Sequence, residues 1–168
     1  MMRKFLLAIV ISCHFSAMAG AATIEELHEM SAGNDVTQLT EHVRLLAQLA
    51  KTEIDAHGIE AVEDKFRETP WRRVANGLHL WGVTTRGVAW FDAGHPELEG
   101  LDVSEMSDLH GRSWSALAVA SADGTGAEVF EITFPHPILK RAARGLHNCF
   151  RIRESDRVLC AGAFLDSE

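Results

Sequence analysis

Histidine and cysteine are the side chains in this sequence best suited to metal or covalent chemistry, and the chain has nine histidines and three cysteines. Structural zinc sites place their ligands in close pairs, such as Cys-x-x-Cys or His-x-x-x-His. No such pair occurs here, and the Cys-x-x-Cys-His signature of covalent haem is also missing. A trio of His79, His95 and His147, brought together by folding, is the basis of an alternative reading as a metal-binding protein. Nucleophilic catalysis has little support. Gly-x-Ser-x-Gly is absent, and Asp108, His110, Ser113 and Ser115 lie too close together on one stretch to form a triad. Glu97, Glu99, Asp102 and Glu105 read as a solvated acidic loop. The expectation is that the protein is not an enzyme and carries no cofactor.

Binding chemistry remains, and charge limits it. The first 22 residues have the layout of a secretory leader: Arg3 and Lys4, the apolar run FLLAIVI, then small-residue cleavage sites after Ala19 or Ala22. An uncleaved anchor and lipid attachment at Cys13 are the alternatives. Loss of Arg3 and Lys4 takes the formal charge from −8 to about −10, a surface that repels phosphate backbones, so nucleic acid is not an expected partner. Beyond residue 22 no run is apolar for the roughly 20 residues that span a bilayer. Residues 23–168 therefore read as one exported domain, periplasmic or secreted.

Two cysteines remain after the leader, Cys149 and Cys160, in LHNCFRIRESDRVLCAG. In an oxidising compartment an even count predicts a disulfide. A tight hairpin centred between Glu154 and Ser155 sets the two cysteines opposite each other, where facing Cα atoms are about 4.5 to 5.5 Å apart. The same register pairs Arg153 with Asp156 and Phe150 with Leu159.

The elements that must position these groups follow from periodicity. Thr23 with Glu26 makes a capping box, Gly33-Asn34 interrupts, and Asp35 with Gln38 starts a second helix. Val36, Leu39, Val43, Leu46, Leu49 and Ala50 then recur at helical spacing until His57-Gly58. Residues 59–67 are a shorter helical piece that Pro70 ends. LHLWGV and GVAWFD form a hairpin, and residues 93–112 a long loop. Residues 113–120 suit a short helix and residues 123–126 a turn. Residues 128–134 form a third strand ending at Pro135-His136-Pro137, and residues 146–153 and 157–164 the last hairpin. The fold class is α+β: a long N-terminal helix covers one face of a five-stranded antiparallel sheet, and the other face is free to form a pocket.

This order, with its motifs, resembles a single Cache domain, the PAS-like extracytoplasmic sensor module, over residues 37–164. The parts that carry the resemblance are AHGIEAV, NGLHLWGVTTRGVAWF, HPELEGLDVSEMSDLHGRSW, EVFEITFPHP and VLCAGAF. The chain departs from the pattern in having no tyrosine, in placing His147 where lysine is common, and in its cysteine pair. The resemblance implies non-covalent binding of a small molecule, an organic acid or amino acid, in a pocket over the sheet. It also implies a signalling partner, and since the sequence ends soon after the last strand, that partner is expected to be a separate membrane receptor. Alternation places His79 and Trp81 on one face of the first strand and Leu78 and Leu80 on the other. His147, Cys149 and Arg151 likewise share a face. The expected ligand-binding residues are His79, Trp81, Trp90, Arg112 and His147, with Phe91 the alternative to Trp90. Arg112, Arg141 and Arg144 are the guanidinium groups able to meet a carboxylate.

Overall fold

The computed structural model describes residues 22–30, 35–72, 77–124, 128–135 and 141–165. The expected secretory leader up to residue 21, the Gly33-Asn34 break, Thr125-Gly126 of the expected turn and the His136-Pro137 strand end lie outside them.

The N-terminal part begins with α1 (Ile24–Glu29), where Thr23 and Glu26 form the expected capping box with both reciprocal bonds made. In α2 (Val36–His57) the Asp35 carboxylate accepts from the N–H groups of Thr37 and Gln38. Leu39, Val43, Leu46, Ala50 and Ile54 of α2 are buried along one stripe, as their spacing requires. The helix stops at Gly58, whose φ of 80° and ψ of 153° lie in a region open only to glycine. A single turn, α3 (Ile59–Val62), follows.

Five strands make one antiparallel sheet: β1 (His79–Thr84), β2 (Ala89–Asp92), β3 (Val129–Pro135), β4 (Ala142–Arg151) and β5 (Arg157–Phe164), in the order β2-β1-β5-β4-β3. The α2 stripe packs on one face, against Leu80, Leu146, Phe150, Leu159 and Ala161. The final hairpin has the expected register, with Cys149 opposite Cys160 and Phe150 opposite Leu159. A Cys149–Cys160 disulfide joins its strands. β4 starts earlier than the pattern of apolar residues indicates, because Ala142 to Gly145 pair with β3. Gly145, just before the expected start, is a paired position opposite Ile132 and Phe164.

The second face is more covered than the sequence implies. Helix α4 (Trp114–Asp123), capped by the Ser113 hydroxyl, lies across it. Its Ala118 is fully buried in a cluster with Trp81, Val83, Val158 and both cysteines. Only the part of this face away from the disulfide is left to the long loop between β2 and α4. That loop is held by bonds within itself, to β3 and to the β1–β2 turn. The Asp92 carboxylate accepts from the N–H groups of Gly94 and His95, Leu109 N–H donates to Thr133 O, and Val103 N–H donates to the carbonyl of Gly87, whose φ is 85° in the β1–β2 turn.

Candidate functional site

The uncovered part of the second face, walled by the loop, encloses a cavity of about 220 Å³. This is smaller than the roughly 300–1,000 Å³ typical of ligand pockets, so any guest is small. Pairing builds the floor: His79 faces Gly162, Trp81 faces Cys160, and His147 lies opposite both Gly162 and Phe130. Ile132, Phe134 and Phe164 add apolar wall from the sheet, and Trp114 adds it from the first turn of α4.

His147 is the centre of this arrangement. Its imidazole is 5% exposed and sits where two glycines make room. A Cβ at Gly162 would stand 2.5 Å from Nδ1, and one at Gly145 would stand 2.7 Å from Nε2. The Trp81 indole donates to Nδ1 at 3.1 Å. Because Nδ1 accepts, the ring proton is on Nε2 and the ring is neutral. Burial, reinforced by His79, lowers its pKa to about 3. Nε2 is buried with no hydrogen-bond partner, and so is Nε1 of Trp114. Both rings line the cavity and pack near Phe134, at centroid distances of 6.4 and 5.8 Å. Unsatisfied buried donors are uncommon in folded proteins; of the three among the described residues, Trp71 Nε1 lies elsewhere and the other two belong to residues that line this cavity.

The remaining polar groups are acidic or neutral. His79 donates through Nδ1 to Gly77 O at 2.5 Å, with Nε2 3.8 Å from Asp92. Burial holds its pKa below the usual imidazole value, against the pull of Asp92 and the Gly77 carbonyl. Asp92 borders the cavity, and His95 and Glu97 stand at its more exposed rim, 3.1 Å apart.

Of the expected ligand-binding residues, the fold brings His79, Trp81 and His147 to the cavity. It does not bring the other two. Pairing shifts register between Gly82 and Val83, so that Gly82 faces Phe91 while Val83 faces Ala89 and Trp90 is the extra residue. The Trp90 ring lies over Gly82, packs with the helix-side core and donates to Val158 O. Phe91, not Trp90, borders the cavity. Arg112 is absent from the lining because Asp108 holds it. One Asp108 oxygen accepts from the N–H groups of His110 and Arg112, and the other accepts from the Arg112 guanidinium at 2.9 and 2.6 Å. Burial alone would raise the Asp108 pKa, but these bonds and the Arg112 charge bring it down to about 2. Arg144 stands by Glu131 at 3.8 Å, also outside the lining. Trp114, missed by the sequence reading, is a cavity residue with no local signal beyond its place at the start of a helix. His79, His95 and His147 all border the cavity. Yet among the described residues no group of three or more histidines, cysteines or carboxylates is arranged to hold a metal ion.

With this geometry in view, the fold is that of the PAS-like Cache sensor domains among solved structures. The chain is similar to a methyl-accepting chemotaxis protein from Vibrio parahaemolyticus (TM-score 0.61, 17% identity, 77% of this chain and 88% of that one). It is similar to a periplasmic sensor domain of a chemotaxis protein (TM-score 0.58, 16% identity, covering 78% and 93%). A third likeness is to a Cache chemosensory domain described for carboxylic acid recognition (TM-score 0.57, 16% identity, covering 77% and 90%). No family model and no curated protein matches the sequence. Among the described residues no helix is long and apolar enough to cross a membrane.

Proposed function

We propose that this is an exported, sensor-type domain that binds a small molecule non-covalently in the cavity over its sheet and acts through a membrane receptor. The observation that carries the binding reading is the pair of buried, unpartnered N–H donors, His147 Nε2 and Trp114 Nε1, on the wall of an otherwise mostly apolar hollow. Such a site takes a compact apolar body bearing an acceptor oxygen, with aromatic walls excluding water and the two donors fixing orientation. That oxygen can belong to a carboxyl group, as in an organic acid or amino acid, or to an uncharged carbonyl group. Periplasmic location rests on the leader-like first 22 residues and on the sensor domains that share the fold.

A thermal-shift screen of the mature protein against small acids, amino acids, their amides and divalent metals tests this. Binding to the folded state raises the melting temperature by an amount that grows with the logarithm of ligand concentration over Kd. Compounds with an acceptor oxygen are expected to raise it, and the rise is expected to shrink in Trp114→Phe, which keeps the ring and removes the donor. Stabilisation by zinc or copper alone, lost in His79→Ala/His147→Ala, would replace this reading with metal binding.

A further inference from the structure

We infer, building on that binding reading, that the cavity selects uncharged carbonyl compounds, such as small amides, methyl ketones and esters, over carboxylates of the same skeleton. Three observations converge. First, no lysine or arginine lines the cavity among the described residues. Arg112 is paired with Asp108, Arg67 with Glu99 and Glu63, and the exposed Arg72, which acts on His79, is outside the lining. Second, the histidines do not replace the missing cation. The Trp81 bond fixes Nδ1 of His147 as an acceptor, and burial disfavours the charged form of His79, whose Nδ1–H is bonded to the Gly77 carbonyl. Third, the charged groups that do border the space are the carboxylates of Asp92 and Glu97, with Asp92 only 8% exposed.

A carboxylate entering this space would lose its water without a countercharge and would approach Asp92 as a like charge, both unfavourable in a poorly solvated site. A neutral carbonyl oxygen meets neither penalty. It has two lone pairs, and two residues of the wall, His147 and Trp114, carry buried N–H donors that lack acceptors. Trp81, Phe134, Phe164 and Ile132 cover the rest of a small apolar molecule. Selection thus comes from donors that fit a carbonyl and a carboxylate that repels an anion, an attractive and a repulsive element together.

The test is calorimetric titration of the mature protein at pH 7 with small aliphatic and aromatic amides, methyl ketones and methyl esters, each set against the carboxylate of its own skeleton. Trp114→Phe and Asp92→Asn are titrated beside the wild type. In labelled protein the Trp114 indole and His147 Nε2–H resonances report contact at the wall. The neutral member of a pair is expected to bind at least about tenfold more tightly than its acid, with both resonances moving downfield. Asp92→Asn, which retains an acceptor for the Gly94 and His95 amides, is expected to raise affinity for the acid several-fold and leave the neutral partner nearly unchanged. Trp114→Phe is expected to lower affinity for the neutral ligand about tenfold. Carboxylates that bind as well as or better than their neutral partners, with the same resonances moving, overturn the selectivity and leave the cavity as the binding site. No binding by either set in any of the three proteins overturns the cavity as a binding site, and the selectivity with it.

Discussion

At the scale of single residues, the site depends on the placing of one imidazole. His147 lies between Gly162 and Gly145 and accepts from Trp81, so its tautomer is set by the protein rather than by solvent. Gly162→Ala puts a methyl group 2.5 Å from Nδ1, which requires the ring or the strand to move. The expected loss is about 1–3 kcal/mol of stability, read as a lower urea midpoint with an unchanged slope. The alanine-glycine step in VLCAGAF therefore has a physical purpose: only a strand without a side chain there admits the ring. Acid sensitivity belongs to the same residue. Burial, and secondarily His79, lowers the pKa of folded His147 to about 3 from an ordinary value of 6.5. A group depressed on folding contributes stability that is present above 6.5 and lost as pH falls towards 3. Between pH 6.5 and 4, the wild-type urea midpoint is expected to fall more steeply than that of His147→Gln. Parallel curves would show that His147 does not titrate on unfolding.

At the scale of elements, the β4–β5 hairpin and α4 act as one unit. The Cys149–Cys160 bond links the two strands under Ala118 of α4, in the cluster that closes the far end of the cavity face. The closed loop has a sequence separation of 11, so Cys149→Ala/Cys160→Ala is expected to cost roughly 2–3 kcal/mol in denaturant unfolding. The cavity is expected to survive, because Trp81, His147 and Phe134 remain held by strand pairing. The bulge in β2 has the opposite character. One extra residue sends Trp90 to the helix side, where its N–H finds the Val158 carbonyl, and the cavity is bordered by Phe91 instead. Strict alternation cannot foresee such a shift, because nothing in GVAWFD distinguishes a regular strand from a bulged one.

At the scale of the whole molecule, the sheet separates two interiors of different kinds. The α2 side is a solid apolar core, with Leu39, Val43, Leu46 and Ala50 fully buried. Leu46→Ala is expected to cost about 2–5 kcal/mol, and Val36→Ala, at a residue 49% exposed, is expected to cost little. Equal midpoints for the two variants in urea would show that α2 does not hold the sheet. The other side is divided between the α4 contact and the cavity, so a helix on each face still leaves space for a guest.

The α+β order, the α2 stripe, the helix N-caps and the hairpin register follow from the sequence by itself, because each rests on near-neighbour chemistry: a repeat of 3.6 or 2 residues, a cap two or three residues from its partner, two cysteines placed evenly about a turn. His79, Trp81 and His147 are legible for the same reason, since alternation along a regular strand fixes a face. Tertiary structure alone decided the rest. Arg112 is withheld by Asp108, Trp90 is turned away by a bulge, and Trp114 and α4 arrive over the sheet from a distant segment. Each of these depends on which groups meet across the fold, and on whether a charge or an N–H finds a closer partner than a ligand. Local pattern carries no record of that competition.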